Sequence, residues 1–369
     1  MAAFLMPDIY GVTAIICMLY FAALRRFTPA AGFMFGVLAF SLSCHTSNLL
    51  IAGLILGLGV LGLGVLGRFG RRTALVKIDR PGLLALTLSI VTALGVGFAY
   101  KAMVWRVEHF RVYNPPFVTA RLYADGPGKA FAIKACSKDP KAFEVCRYIH
   151  QRPETSDDFL WHLDPQRGVF KLADFDSRVR LINEQARFVI GTVISEFPAV
   201  VQTAFANFGA ELAHYEIDDT YHSVREFFTD PNYVAFQAIM PGGTLCASDP
   251  DLCAPKLNPG LIDLSLAAAT LISIGLIIAF CPRAWDPANP RHKAMVLAAI
   301  IILANAAICG TLSRPTQRYQ LRVNWLYLFI AALCLVDRFG LRLAPKLPSF
   351  PQKSGSHGHR SQKSASSLT

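Results

Sequence analysis

The sequence predicts an all-α multi-pass membrane protein of about seven transmembrane helices. A mainly α, disulfide-bonded extracytoplasmic domain is inserted between helices four and five. Three observations carry this reading. Hydrophobic residues make up 53% of the chain and charged residues 17%, against about a quarter charged in a soluble domain. The mean hydropathy is +0.39. Apolar runs approaching the roughly 20 residues needed to cross a bilayer recur along both ends of the chain.

The candidate spans are 9–24, 32–43, 48–67, 82–104, 261–281, 294–312 and 323–336; the first, second and last are short for spanning. The third contains IAGLILGLGVLGLGVLG, whose small residues at i, i+4 let helices approach closely, a packing role. Lys and Arg in short loops set orientation. Arg25 and Arg26 follow the first span, and Arg68, Arg71, Arg72, Lys77 and Arg80 separate the third from the fourth. Arg283, Arg291 and Lys293 separate the fifth from the sixth, and Arg338, Arg342 and Lys346 follow the last. Seven spans put all four clusters on one side. This puts the C-terminus in the cytoplasm, and the N-terminus and the 105–259 insertion outside. No signal peptide precedes the first span, and the short uncharged start, with Pro7-Asp8, suggests that further spans are missing upstream.

The net charge of +11 is unevenly spread. Residues 105–259 hold 16 basic and 20 acidic side chains, and the other 214 residues hold 20 and 5. The basic excess therefore flanks the spans, which argues for membrane orientation and against nucleic-acid binding. The chain divides into a four-helix membrane domain (1–104), a periplasmic domain (105–259), a three-helix membrane domain (260–337) and a basic, disordered cytoplasmic tail (338–369).

Within the periplasmic domain, apolar residues three and four apart from Ser177 to Ile194 predict a helix, and Pro198 restarts a second through Leu212. Segment 118–134 predicts two short strands or extended arms around the turn Asp125-Gly126-Pro127-Gly128. Two local bridges, Cys136–Cys146 and Cys246–Cys253, are favoured among three connectivities, with a zinc site as the rival reading. Cys17, Cys44, Cys281, Cys309 and Cys334 lie in or beside spans and read as small apolar packers.

No nucleophile elbow, phosphate loop, zinc-protease or dinucleotide motif is present. No cofactor or metal site is predicted, although a divalent metal stays open. Asp157-Asp158 and Asp218-Asp219 read as helix caps or solvated pairs, and His150, His214 and His222 are ambiguous. A transporter is disfavoured because no span is charged near its centre.

The loop before the last span runs against the charge rule, because it faces outward yet carries Arg314, Arg318 and Arg322 and no acid. Their spacing stacks three guanidiniums on one helix face if the helix begins before Val323. Guanidinium forks suit phosphate, here a lipid headgroup or a lipid-linked sugar. Pairing with carboxylates of the acidic domain is the equal alternative. Asp8 and His45 lie on the same side and are candidates for proton transfer, or merely a helix cap and a turn residue.

Met6-Pro7-Asp8-Ile9-Tyr10, Cys44-His45-Thr46-Ser47, Leu122-Tyr-Ala-Asp-Gly-Pro-Gly128, Phe159-Leu160-Trp161 and Arg314-Pro-Thr-Gln-Arg-Tyr-Gln320 resemble segments of uncharacterised multi-pass inner-membrane proteins of alphaproteobacteria. The resemblance covers nearly the whole chain except the tail. The alternation of spans and outward loops, with Arg318-Tyr319 before the last span, is similar at a distance to GT-C glycosyltransferases, which use polyprenyl-phosphate sugars. Those enzymes keep an acidic motif in their first outward loop, which is lacking here. The resemblance implies work on a lipid-linked saccharide in surface polysaccharide or glycoconjugate synthesis. Arg314, Arg318, Tyr319 and Arg322 would bind substrate, and Asp8 and His45 would act in catalysis. The alternative is a non-catalytic membrane component whose periplasmic domain binds a partner in an export or assembly complex.

Overall fold

A computed structural model describes residues 9–64, 78–109, 111–217, 259–283, 286 and 289–340. Every run read as a span is a helix: α1 (Ile9–Ala23), α2 (Pro29–Cys44), α3 (Thr46–Gly64), α4 (Arg80–Glu108), α10 (Pro259–Phe280), α11 (Pro290–Leu312) and α12 (Gln317–Phe339). Between them lie α5 (Phe117–Ala124), α6 (Pro127–Lys138), a short 3-10 turn (Glu144–Tyr148), α7 (Ser156–Trp161), α8 (Phe175–Ser195) and α9 (Phe197–Leu212). Four helices, α4, α10, α11 and α12, are long and apolar enough to cross a membrane, and α1, α2 and α3 are shorter apolar helices. The chain is built as a multi-pass membrane protein.

Local chemistry sets the boundaries. Thr28 Oγ1 accepts from Ala31 N at 3.2 Å ahead of Pro29, and Asn289 Oδ1 accepts from Arg291 N at 2.9 Å ahead of Pro290. Gly340 closes α12 in the left-handed region at φ 60°.

The strand expectation for 118–134 is overturned, and no strand occurs among the described residues. Gly126, at φ 105°, turns the chain, and Pro127 starts α6. A Cβ on Gly128 would lie 2.6 Å from the Leu122 carbonyl carbon, so the glycine lets the two helices close. The turn signal was sound, but it joins helices.

Two cores result. One fills the bundle, drawing on α1–α4, α11 and α12. The other lies within α5–α8, where the rings of Phe131, Phe143 and Phe188 meet pairwise at 5.5–5.6 Å. Cys136–Cys146 is bonded and ties α6 to the 3-10 turn. Cys246 and Cys253 lie outside the described residues, as do Asp218, Asp219, His222 and residues 341–369 of the tail, whose first two residues, 338 and 339, are helical instead and end α12.

The packing reading of the α3 glycines holds at Gly59, where a Cβ would lie 2.7 Å from Leu83 Cδ2, but Gly53 and Gly57 face open space. Cys17, Cys309 and Cys334 are buried as expected, Cys44 is half-buried, and Cys281 is exposed.

The bundle has two distinct ends. At one, Gly82 packs against Phe21 O, Phe280 meets Phe339 at 5.7 Å, and His292 Nε2 lies 3.3 Å from Asp337 Oδ2. The described loop cations Arg25, Arg26, Arg80, Arg283 and Arg338 cluster at this basic end and are exposed. The opposite end meets the domain of α5–α8.

Candidate functional site at the domain end of the bundle

The segment before α12 is where the sequence placed three stacked arginines. The helix begins at Gln317, so Arg318 and Arg322 sit one turn apart on α12 while Arg314 stands in the preceding turn. Tyr319 lies between the two helical arginines. The Arg318 guanidinium is 5.0 Å from the centre of its ring and that of Arg322 5.4 Å. Arg318 also donates to the Tyr319 hydroxyl at 3.2 Å.

Arg322 is only 4% exposed. Its Nε and Nη2 donate to Asn305 Oδ1 at 2.9 and 2.7 Å, and Nη2 also reaches Cys309 Sγ at 2.9 Å. Asn305 is fixed in turn, donating to Tyr319 O at 2.9 Å and Gln320 Oε1 at 3.3 Å. Cys309 is thus a polar partner as well as a packer. Gly11 makes room for the arginine, because a Cβ there would lie 2.7 Å from Arg322 Cδ.

His45, the single residue between α2 and α3, is brought to the same place. Its ring meets Tyr319 edge-on at 5.8 Å. Its Nδ1 accepts from Ser47 N at 3.2 Å and lies 2.6 Å from Ser47 Oγ. An accepting Nδ1 leaves Nε2 as the protonated, donating nitrogen of the neutral ring. Asp8 lies outside the described residues.

Arg314 is different, because its Nε lies 3.4 Å from Asp157 Oδ2 on α7. The neighbouring Asp158 completes a capping box with Thr155, donating its N–H to Thr155 Oγ1 at 3.1 Å and accepting from Thr155 N at 3.0 Å. Other groups tie the same loop down. Glu211 Oε2 accepts from Thr316 N at 2.9 Å, and Glu216 Oε2 accepts from Gln317 Nε2 at 2.7 Å. His214 O accepts from Asn324 Nδ2 at 3.3 Å, whereas His150 is exposed.

Beneath this contact, Arg121 Nη2 and Asp125 Oδ1 pair at 2.7 Å, and Asp125 Oδ2 accepts from Asn207 Nδ2 at 2.8 Å. Burial lowers the Arg121 pKa despite the neighbouring carboxylate. Burial also raises that of Asp125, against the opposing pull of Arg121 and Asn207.

The sequence reading missed Asn305, Gln320 and Glu211. A lone amide within Ile-Leu-Ala-Asn-Ala-Ala-Ile, and a lone acid closing the apolar α9, were the signals that could have found two of them. Among the described residues no group of three or more His, Cys, Asp or Glu side chains could hold a metal. Two guanidiniums, a phenol hydroxyl and an imidazole ring thus lie together at one bundle end. No family model, no curated protein and no solved structure matches the chain.

Proposed function

We propose that this chain is a seven-span bacterial inner-membrane protein that handles a lipid-linked saccharide at its periplasmic face. The lipid phosphate would be held by Arg318, with Arg322, Tyr319 and His45 shaping the site. The observation that carries this is the burial of Arg322 beside Asn305 and Tyr319. Taking a guanidinium out of water costs several kcal/mol, roughly, and a charge kept within an apolar bundle favours a functional role. His45, with Nε2 as donor, suits oxyanion binding better than proton abstraction. Sugar transfer of the kind the GT-C resemblance implies needs a carboxylate to take the acceptor's proton, a role for which Asp8 is the sequence's candidate.

A second reading has its own support. Arg314 pairs with Asp157, and Glu211 and Glu216 hold the adjacent backbone and side chain, which favours a role in docking the domain. On that reading the protein is a non-catalytic component whose domain engages a partner in an export or assembly complex.

Native mass spectrometry of the detergent-purified protein tests the choice. A bound polyprenyl-phosphate species that is lost in Arg318→Ala but kept in Arg314→Ala supports the first reading. Bulk phospholipid alone, retained by both variants, supports the second.

A further inference from the structure

α8 and α9 meet in an elbow at Glu196, bent by 102°. Pro198 lies in the first turn of α9, where it starts a new helix instead of continuing the old one. From Phe188 to Ala210 the chain carries a single charged residue, Glu196, and Lys134 Nζ pairs with it at 2.6 Å. Ile190 and Ile194 on α8, and Phe197 and Phe205 on α9, are 59%, 77%, 59% and 71% exposed.

The other side of α9 is not exposed. It packs on α11, one of the helices long enough to span. A Cβ on Gly310, two residues before the end of α11, would lie 2.7 Å from Asn207 O, so the two backbones touch there. Leu212 joins the apolar core of the bundle. The C-terminal half of α9 therefore continues the bundle's own surface at the level of a span's last turn, and the chain from there back to Phe197 at the elbow is free of charge. At that depth the medium meeting an apolar face is the bilayer, and the bare aromatic and branched side chains fit acyl chains. Lys134, exposed beside Glu196, has the length to place its amine among headgroups.

We propose that the α8–α9 elbow is embedded in the leaflet at the domain end of the bundle, with lipid acyl chains against Ile190, Ile194, Phe197 and Phe205. The domain of α5–α8 is then seated on the membrane instead of standing clear of it on two linkers.

The test places p-benzoylphenylalanine at Ile194 or at Phe205 in the full chain. The protein is reconstituted in nanodiscs of phosphatidylethanolamine and phosphatidylglycerol, irradiated and weighed intact. Asp176 is the control, exposed at the far end of α8 about 30 Å away. The expected result is a phospholipid-mass adduct at both elbow positions, at least ten-fold above that at Asp176. A cross-linked dimer of the chain, or adduct yields at the elbow no higher than at Asp176, overturns the proposal. Position 194 is so exposed that substitution there leaves packing intact, so a failure to fold at Phe205 alone does not blunt the test.

Discussion

Two arginine networks in this molecule show how solvent changes what a charge is for. In the domain, Glu144 Oε2 accepts from Arg180 Nε at 2.7 Å, and Arg147 Nη1 donates to Glu144 Oε1 at 2.9 Å. Ser177 joins both arginines at 3.0 and 3.1 Å and is itself anchored to Asp174. These guanidiniums stay half in water, so the network ties the 3-10 turn to α8 with the desolvation falling on Glu144. In the bundle, Arg322 is enclosed beside Asn305, Cys309 and the Tyr319 ring. The first arrangement accounts for itself as structure. The second sets a guanidinium almost wholly out of water among bundle helices.

Breaking the domain alone should give the largest effect. Cys136→Ser with Cys146→Ser removes the bridge and should cost the domain about 2–4 kcal/mol. Limited proteolysis should then cut within 117–195 while the bundle helices persist. Arg322→Leu attacks the other network, leaving Asn305 Oδ1 without its buried donor. It should lower stability by about 1–3 kcal/mol, read as a detergent thermal shift, and leave the protease resistance of the domain unchanged.

Glu144→Gln sharpens the contrast at roughly 1–2 kcal/mol, given its half-exposed partners. Burial pushes the Glu144 carboxyl up, but hydrogen bonds from Arg180, Ser177 and Arg147 outweigh it and hold the pKa below the ordinary value. A depressed carboxylate stabilises the fold fully above the unfolded value of about 4.3, and that stability is lost as pH falls through the folded one. Melting of the domain between pH 6 and pH 3 should therefore steepen in acid for the parent and flatten in Glu144→Gln. The smallest effect belongs to Arg314→Ala. Its partly exposed pairing with Asp157 is worth under about 1 kcal/mol, so domain stability should barely move while the domain loosens from the bundle, as hydrogen exchange at 156–161 would report.

How far the sequence spoke depended on whether the signal was local. Seven apolar runs became seven helices because each run is itself the signal, and Thr28 and Asn289 cap two of them. The last apolar run begins at 323, but the helix starts at Gln317, with its polar first turns buried against Asn305 and the domain. The turn at 125–128 was legible and its flanks were not, since Pro127 and Gly128 serve a helical corner as well as a hairpin. The sequence assigned His45 and Tyr319 to one membrane side; that their rings meet at 5.8 Å depends on packing between α2, α3 and α12, which no local pattern encodes. Arg322 read like its neighbours in sequence, and only tertiary structure separates it from Arg314.

The account stands on the two bundle ends lying on opposite sides of the membrane, with the arginine site and the disulfide domain sharing the outer side. Labelling with a membrane-impermeant maleimide in intact cells tests this directly, using Lys171→Cys in the domain and Arg26→Cys at the basic end, both exposed. The account predicts labelling of Lys171→Cys in intact cells, and of Arg26→Cys only after permeabilisation. Labelling of Arg26→Cys in intact cells, with Lys171→Cys protected, would contradict it.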